Sequence, residues 1–200
     1  MKTSTSLIAA LIVLSTPAFA QFSFDPAVGA CVNAAGERGV NAGTGACGDY
    51  RSRDLAGADF ASTDLRGARF DGATLRNANF KGASLEGASF QGADLTGAVL
   101  TGARLDRALF SQARLVGAHL EYATLTGASL SNADVRNACL YRASFQGADL
   151  RAAQFSRTRS LVSNARWSQA VVLSDTLPFD AAELAREQLD VRPAELIVAR

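Results

Sequence analysis

The sequence predicts an all-β fold, a narrow four-sided β-solenoid, and three observations carry that prediction. Every fifth residue from Leu55 to Phe155 is Leu, Phe or a single Val, which makes 21 central positions without a gap. Ala stands two residues before the central residue in 19 of these 21 units. Gly stands two residues after it in 11 units, although each Gly inside a helix would cost about 1 kcal/mol relative to Ala.

The five-residue period itself excludes an α-helix. A step of five residues rotates a helix by about 140°, so the large apolar side chains would be scattered around its circumference. In extended backbone, residues two apart point to the same side, so the Ala and the central residue face inward and the residue between them faces outward. Gly or Asn two residues after the centre, as at Gly87 and Asn132, suits a type II turn with positive φ. Each unit is therefore one short side and one corner.

Four such corners close a square, so twenty residues make one coil and each residue lies above the residue twenty positions earlier. Successive coils then pair like parallel strands at a spacing of about 4.8 Å. The predicted interior ladders are Phe70, Phe90 and Phe110 followed by Leu130 and Leu150, and Phe60 and Phe80 followed by Leu100, Leu120 and Leu140. Ala in the facing positions limits the width of the interior, which leaves no room for a channel or an internal ligand.

The units GADLT at 92–96, GASLE at 82–86 and GADLR at 147–151 resemble those of the pentapeptide repeat family. The resemblance covers about residues 53–177. It implies a right-handed quadrilateral β-helix, a handedness that the spacing alone does not supply. We therefore assign residues 53–177 to the solenoid.

The first twenty residues have the pattern of a secretory signal peptide. Lys2 precedes an apolar run over residues 7–14, and Ala18-Phe19-Ala20 is a small-x-small cleavage site. The apolar run is too short to span a bilayer as a retained helix. We expect a periplasmic or secreted protein without stable membrane insertion.

Residues 21–52 are expected to form an N-terminal cap segment rich in Cys and Gly. Export to an oxidising compartment favours a disulfide between Cys31 and Cys47. Metal binding by these two cysteines is the weaker alternative, because fifteen residues separate them and no His lies nearby.

Beyond Phe155 the register slips by two residues, and a sixth, less regular coil is expected around central residues Val162, Trp167, Val172 and Leu177. Trp167 either closes the end of the stack or serves as an exposed binding aromatic. Asp180 and Glu183 resemble a capping box, which predicts a helix over residues 181–189. Residues 178–200 are thus expected to form a helical cap over the open end, and a homodimer contact through this region, similar to the C-terminal pairing of some family members, is the alternative.

Charge argues against two nucleic-acid-related functions. Without Lys2 the chain holds 19 basic and 19 acidic residues, so it lacks the basic excess that nucleic-acid binding requires. Some pentapeptide repeat proteins protect topoisomerases by mimicking DNA, which needs an acidic rod in the cytosol. Residues 51–158 hold 13 basic and 10 acidic side chains behind an export signal, so this function is disfavoured.

The same twenty-residue stacking arranges the outward residues in ladders on the surface. One ladder is Asp54, Thr74, Asp94, Arg114, Asp134 and Gln154. Its two central carboxylates lie on either side of Arg114, which is typical of cross-strand charge pairing rather than of an acid and base pair acting on one bond.

The single histidine, His119, is predicted to stack between Val99 and Cys139, with Glu121 and Tyr141 one step along the same face. Metal binding by Cys139, His119 and Glu121 is geometrically conceivable but lacks a recognised spacing. A Cys and His nucleophile pair would need a directing group and an oxyanion site, which a flat wall does not visibly offer. We therefore predict no catalytic, cofactor-binding or metal-binding residues.

The same face offers a candidate partner surface, formed by Val99, His119, Tyr122, Cys139 and Tyr141. Apolar and aromatic groups cluster there on an otherwise polar wall. Cys139 is also a candidate for an intermolecular disulfide. The expected function is a non-catalytic exported scaffold that binds another protein or an envelope component; an enzyme using the face of His119 and Cys139 is the alternative.

Overall fold

The computed structural model describes residues 23–25, 30–32, 45–155, 171–173 and 190–192 of the chain. Residues 45–155 form a continuous four-sided coil, in which isolated parallel bridges join each residue before a centre to its counterpart twenty positions later. The first of these bridges joins Asp49 to Arg69. The coil thus begins within the segment expected to be the N-terminal cap, because Tyr50 already occupies a central position.

Four short strands lie outside the regular coil. β1 (Ser23–Asp25) pairs antiparallel with β2 (Ala30–Val32), and β3 (Val171–Leu173) pairs parallel with β4 (Asp190–Arg192). β3 contains one of the centres of the expected sixth coil. The other three of those centres and the predicted helix over 181–189 lie outside the described residues. No helix in the described part of the chain is long and apolar enough to cross a membrane.

The coil is held by a repeating set of backbone hydrogen bonds. Around Phe90, the centre donates its N–H to the Leu109 carbonyl at 2.7 Å, and Ser89 donates to the Ala68 carbonyl at 2.9 Å. At the following corner, Ala93 donates to the Phe90 carbonyl at 3.0 Å and closes a four-residue turn. Each unit therefore bonds to the coil below, to the coil above and across its own corner.

The second residue of each corner has positive φ, as the turn prediction requires. Eleven of these corners use Gly, such as Gly92 with φ of 64°. Asn, Ser, Gln, Arg, Tyr, Ala and Cys adopt the same conformation at the others, for example Tyr122 with φ of 60°. The coil therefore holds non-glycine residues in a left-handed conformation wherever Gly is absent, at a local cost that its packing offsets.

The interior is filled by the two inward residues of each unit. From Phe60 to Phe155 every central residue is at most 7% exposed. The phenylalanines stack as predicted: the Phe70, Phe90 and Phe110 ring centroids are 4.9 Å apart along their ladder, and Phe60 lies 5.0 Å from Phe80. Tyr50 extends the ladder of Phe70 by one coil toward the N-terminus, and its ring centroid lies 4.6 Å from that of Phe70. The sequence analysis did not include Tyr50, because its first central residue was Leu55.

Candidate functional site

The four outer walls are named by their outward residues. Wall A carries Asp54, Thr74, Asp94, Arg114, Asp134 and Gln154. Wall B carries Asp59, Asn79, Val99, His119 and Cys139. Wall C carries Asp64, Ser84, Arg104, Thr124 and Ser144, and wall D carries Asp49, Arg69, Ser89, Leu109, Ser129 and Asp149.

On wall A the predicted stacking order is confirmed, but other arginines than Arg114 make the direct contacts to the two carboxylates. Asp134 forms a salt bridge of 2.7 Å with Arg136, and Asp94 lies 3.7 Å from Arg76. The side-chain hydrogen bond from Arg136 lowers the pKa of Asp134. Burial would raise the pKa of Asp94, but hydrogen bonds from Thr96 lower it. Arg114 lies between the two carboxylates on the wall, and its charge adds to the lowering of both pKa values. The arginines in direct contact with Asp94 and Asp134 are Arg76 and Arg136, which are corner residues whose long side chains extend back along the wall.

The acidic residues before the centres have an architectural role. Each accepts a hydrogen bond from the backbone N–H two residues later, as Asp54 does from Ala56 at 3.2 Å and Asp94 does from Thr96 at 3.1 Å. This is an Asx turn, which satisfies the first N–H of the corner. These carboxylates are therefore explained by the turn and not by acid and base catalysis.

Four units extend this turn with an Arg two residues after the Asp. Their salt bridges join Asp49 to Arg51, Asp64 to Arg66, Asp134 to Arg136 and Asp149 to Arg151 at 2.5 to 2.7 Å. The side-chain hydrogen bond from Arg51 lowers the pKa of Asp49 to about 2, against the opposing effect of burial. The Asp-x-Arg spacing is visible in the sequence and could have identified these pairs.

The structure brings together the residues of the candidate partner surface. His119 is bridged to Val99 on one side and to Cys139 on the other. Tyr122 and Tyr141 lie at the adjoining corner, where their rings meet edge to face with centroids 5.5 Å apart. Tyr122 is 52% exposed, which makes it an accessible aromatic side chain.

Arg142 completes this corner and was missed by the sequence analysis. Its guanidinium carbon lies 5.4 Å from the Tyr141 ring centroid and 5.9 Å from that of Tyr122. We call Tyr122, Tyr141 and Arg142 the aromatic corner. Arg142 could have been found, because it lies twenty residues after Tyr122. Its cation over two rings fixes their orientation and adds a charged group to an apolar surface.

A second exposed apolar residue, Leu109 on wall D, also escaped the sequence analysis. It is 38% exposed and lies across the solenoid from wall B. The signal was present, since Leu occupies an outward position before a centre. Its wall neighbours Ser89 and Ser129 are polar, so it does not extend into a patch.

A shallow groove of about 670 Å³ lies along wall C. Phe24 of β1 borders it, and Glu86 lies within it, with Oε1 accepting from Arg104 at 2.8 Å. The other oxygen of Glu86 is buried without a hydrogen-bond partner among the described residues. Asp64 in the same groove is paired with Arg66, whose hydrogen bonds lower the pKa of Asp64. A general acid needs a raised pKa, so Asp64 does not suit that role.

The N-terminal residues are fastened to the coil by a disulfide. Cys31 and Cys47 are bonded, and Cys47 lies at the first corner of the coil. Phe24 pairs with Cys31 across β1 and β2 and lies 5.9 Å from the Arg66 guanidinium. The third cysteine, Cys139, keeps its thiol and is half-buried on wall B.

Three solved structures illustrate what the chain is similar to. A pentapeptide repeat protein of the cyanobacterium Cyanothece 51142 is 30% identical over 48% of this chain and 64% of its own length, with a TM-score of 0.37. One from the Arabidopsis thaliana thylakoid lumen is 38% identical over 57% and 72%, with a TM-score of 0.25. HetL of Nostoc sp. strain PCC 7120, a pentapeptide repeat protein involved in heterocyst differentiation regulation, is 32% identical over 63% and 70%, with a TM-score of 0.30.

This chain spans just under two thirds of the Cyanothece protein. No curated protein matches it. The family model described as pentapeptide repeats matches residues 54–92, 93–132 and 128–159 with eight copies, which is more than half of the chain. Together with the four-sided coil and its inward Ala and Leu or Phe, this match establishes that the chain belongs to the pentapeptide repeat family and folds as a right-handed quadrilateral β-helix.

Proposed function

We propose that this protein is a non-catalytic exported scaffold that binds another protein or an envelope component through the aromatic corner and the adjoining part of wall B. The observation that carries the proposal is the clustering of Tyr122, Tyr141 and Arg142 on an otherwise polar surface. Tyr and Arg are enriched among the residues that dominate protein interfaces. Pentapeptide repeat proteins are generally non-enzymatic scaffolds, which agrees with this role.

The rigidity of the coil supports recognition by a preformed surface. Tyr122 is anchored by its N–H to the Tyr141 carbonyl at 2.8 Å, and the next residue, Ala123, is fully buried. The corner therefore loses little backbone freedom when a partner binds, which lowers the entropic cost of association. The two rings are also held against each other before binding.

Photocrosslinking in the native envelope tests the interaction. A benzophenone amino acid at position 122 is compared with the same residue at position 112, where Gln112 occupies the equivalent place in a diagonally opposite corner. Both positions are exposed and both have positive φ, 60° and 62°. We expect a specific adduct from position 122 alone. Equal adducts from both positions, or none from position 122, would contradict the proposed surface.

Export is tested separately by cell fractionation and sequencing of the mature N-terminus. We expect the chain outside the cytosol, beginning at Gln21. Recovery of an intact chain with Met1 from the cytosol would refute export and would reopen intracellular functions for the same surface.

A further inference from the structure

We propose that His119, Glu121 and Cys139 form a three-ligand site for Zn²⁺ or a similar borderline divalent cation, with a fourth coordination position open to solvent. The three ligand atoms of these side chains lie within 4.8 Å of one another. The twenty-residue stacking already placed these three residues on one face, although their spacing along the chain matches no recognised zinc motif. The proposal does not depend on the scaffold function.

The fold places the three donors on one surface. His119 and Cys139 are directly paired by a parallel bridge, so their outward side chains are neighbours on adjacent coils. Glu121 follows two residues after His119, at the first position of the corner, and its side chain turns back to His119. A rigid ladder thus holds an imidazole, a carboxylate and a thiol at one point of wall B.

The distance between two of the three ligand atoms already matches that of a tetrahedral zinc site. His119 Nδ1 and Glu121 Oε1 are 3.3 Å apart. Two ligands bound to zinc at about 2.0–2.1 Å, and set at the tetrahedral angle, are themselves separated by about 3.3 Å. A thiolate bound at about 2.3 Å would lie about 3.5 Å from each of them. The Cys139 sulfur lies at most 4.8 Å from the other two ligand atoms. It therefore has to move toward them by at most about 1.3 Å, which a rotation of the Cys139 side chain achieves.

A further contact orients the carboxylate. Thr101, directly below Glu121 in the stack, donates its hydroxyl to Glu121 Oε2 at 3.2 Å. This bond engages one oxygen and leaves Oε1 directed at the imidazole. Hydrogen bonds of this kind hold ligating groups in place and tune their affinity for the metal.

The donor types select the class of cation. A sulfur, a nitrogen and an oxygen ligand suit Zn²⁺, whereas Ca²⁺ and Mg²⁺ require oxygen ligands. A thiolate and a carboxylate together balance the two positive charges of the ion. Because the His119 side chain is 48% exposed and that of Glu121 is 25% exposed, solvent reaches the fourth position. Three protein ligands and one open position are typical of zinc sites that exchange a bound ligand.

The chain itself allows an unambiguous test. His119 is its only histidine, and the other two cysteines are joined in a disulfide. An untagged mature protein prepared without reductant therefore offers one imidazole and one thiol. Zn²⁺ binding is measured by calorimetry, and Co²⁺ binding by absorption. We expect one Zn²⁺ per chain, a thiolate-to-cobalt charge-transfer band, and no competition from Ca²⁺ or Mg²⁺.

Single variants assign the ligands. Cys139→Ser should abolish the charge-transfer band, and Cys139→Ser, His119→Ala and Glu121→Gln should each weaken Zn²⁺ binding about 10-fold or more. Asp59→Asn, a change of another acidic residue on wall B, is the matched control and should bind as the wild type does. At one fixed Zn²⁺ concentration, the unfolding midpoint should rise more in the wild type and in this control than in the three ligand variants.

Three results would overturn the proposal. They are the absence of saturable Zn²⁺ binding by the folded wild-type protein, unchanged affinity in both His119→Ala and Cys139→Ser, or an equal loss in Asp59→Asn. Far-UV circular dichroism of every variant separates loss of a ligand from loss of fold. If a variant fails to fold, the charge-transfer band and the zinc-dependent midpoint of the wild type still decide the matter.

Discussion

The stacked phenylalanines of the interior make a quantitative prediction about stability. Phe90 is fully buried, and its ring lies parallel to those of Phe70 and Phe110, with centroids 4.9 Å away on either side. It also meets Phe80 edge to face at 5.9 Å. Phe90→Ala removes these contacts and leaves a cavity that the rigid coils above and below cannot close. We expect a loss of about 3–5 kcal/mol in the free energy of unfolding.

Phe90→Leu distinguishes the stability that comes from contacts between aromatic rings from the stability that comes from filling the interior. Leu already occupies the same ladder at Leu130 and Leu150, so the coil accommodates its shape. The two stacked pairs and the edge-to-face pair with Phe80 are lost, and each contributes about 0.5–1.5 kcal/mol beyond burial. The expected cost is therefore about 1.5–4.5 kcal/mol, and it should stay below that of Phe90→Ala because most of the buried volume is kept.

Leu109→Ala is the matched control. Leu109 belongs to the coil above Phe90 on the same wall, and its carbonyl accepts the Phe90 N–H, but its side chain points outward and is 38% exposed. Its truncation should cost less than about 1 kcal/mol. Urea unfolding followed by far-UV circular dichroism measures all three variants, and a constant m-value confirms that the unfolded states are comparable. A Phe90→Ala loss no larger than that of Leu109→Ala would refute the assignment of the interior.

Two further predictions concern the corners and the acidic residues. Gly67→Ala should destabilise the protein more than Gly92→Ala. The added Cβ at Gly67 would collide with Cys31 and Phe24, whereas no atom lies within 4 Å of a Cβ at Gly92. The two glycines have nearly the same φ, 65° and 64°, so the backbone strain is equal in both variants. Thermal unfolding of the two variants compares them, and equal losses would contradict the docking of the N-terminal hairpin. Because the pKa of Asp49 is lowered from 3.8 to about 2, its contribution is present above about pH 4 and is lost as the pH falls from about 4 to about 2. The difference in melting temperature between wild type and Asp49→Asn should therefore shrink over that range, and a difference as large at pH 2 as at pH 5 would count against the ion pair.

The residues that fill the interior could be predicted from the sequence, because the repeat alone determines which side chains face inward. A five-residue period places Ala and a large apolar residue on the inside, and the twenty-residue coil then determines which centres stack. Phe70, Phe90 and Phe110 meet as that rule requires. The same rule missed Tyr50, because its unit has Tyr rather than Leu, Phe or Val at the centre and Gly48 rather than Ala in the small inward position.

The candidate site was only partly predictable. Stacking placed His119 between Val99 and Cys139, as the structure has it. It did not reveal that Arg142 lies over the two tyrosines, nor that Glu121 turns back to His119. These contacts depend on the rotamers of long side chains at the corners, which a repeat pattern does not specify.

The family, the four-sided coil and the inward set of residues follow from the amino-acid sequence, because the backbone period and side-chain volume leave one way to bury the apolar positions. The contacts of the outward residues became clear only in the folded molecule. It showed that Asp54 and Asp94 accept hydrogen bonds from corner N–H groups, and that the Glu121 carboxylate turns back to within 3.3 Å of His119 Nδ1. The physical reason is that outward side chains are not constrained by packing, so their partners are set by reach across neighbouring coils and corners.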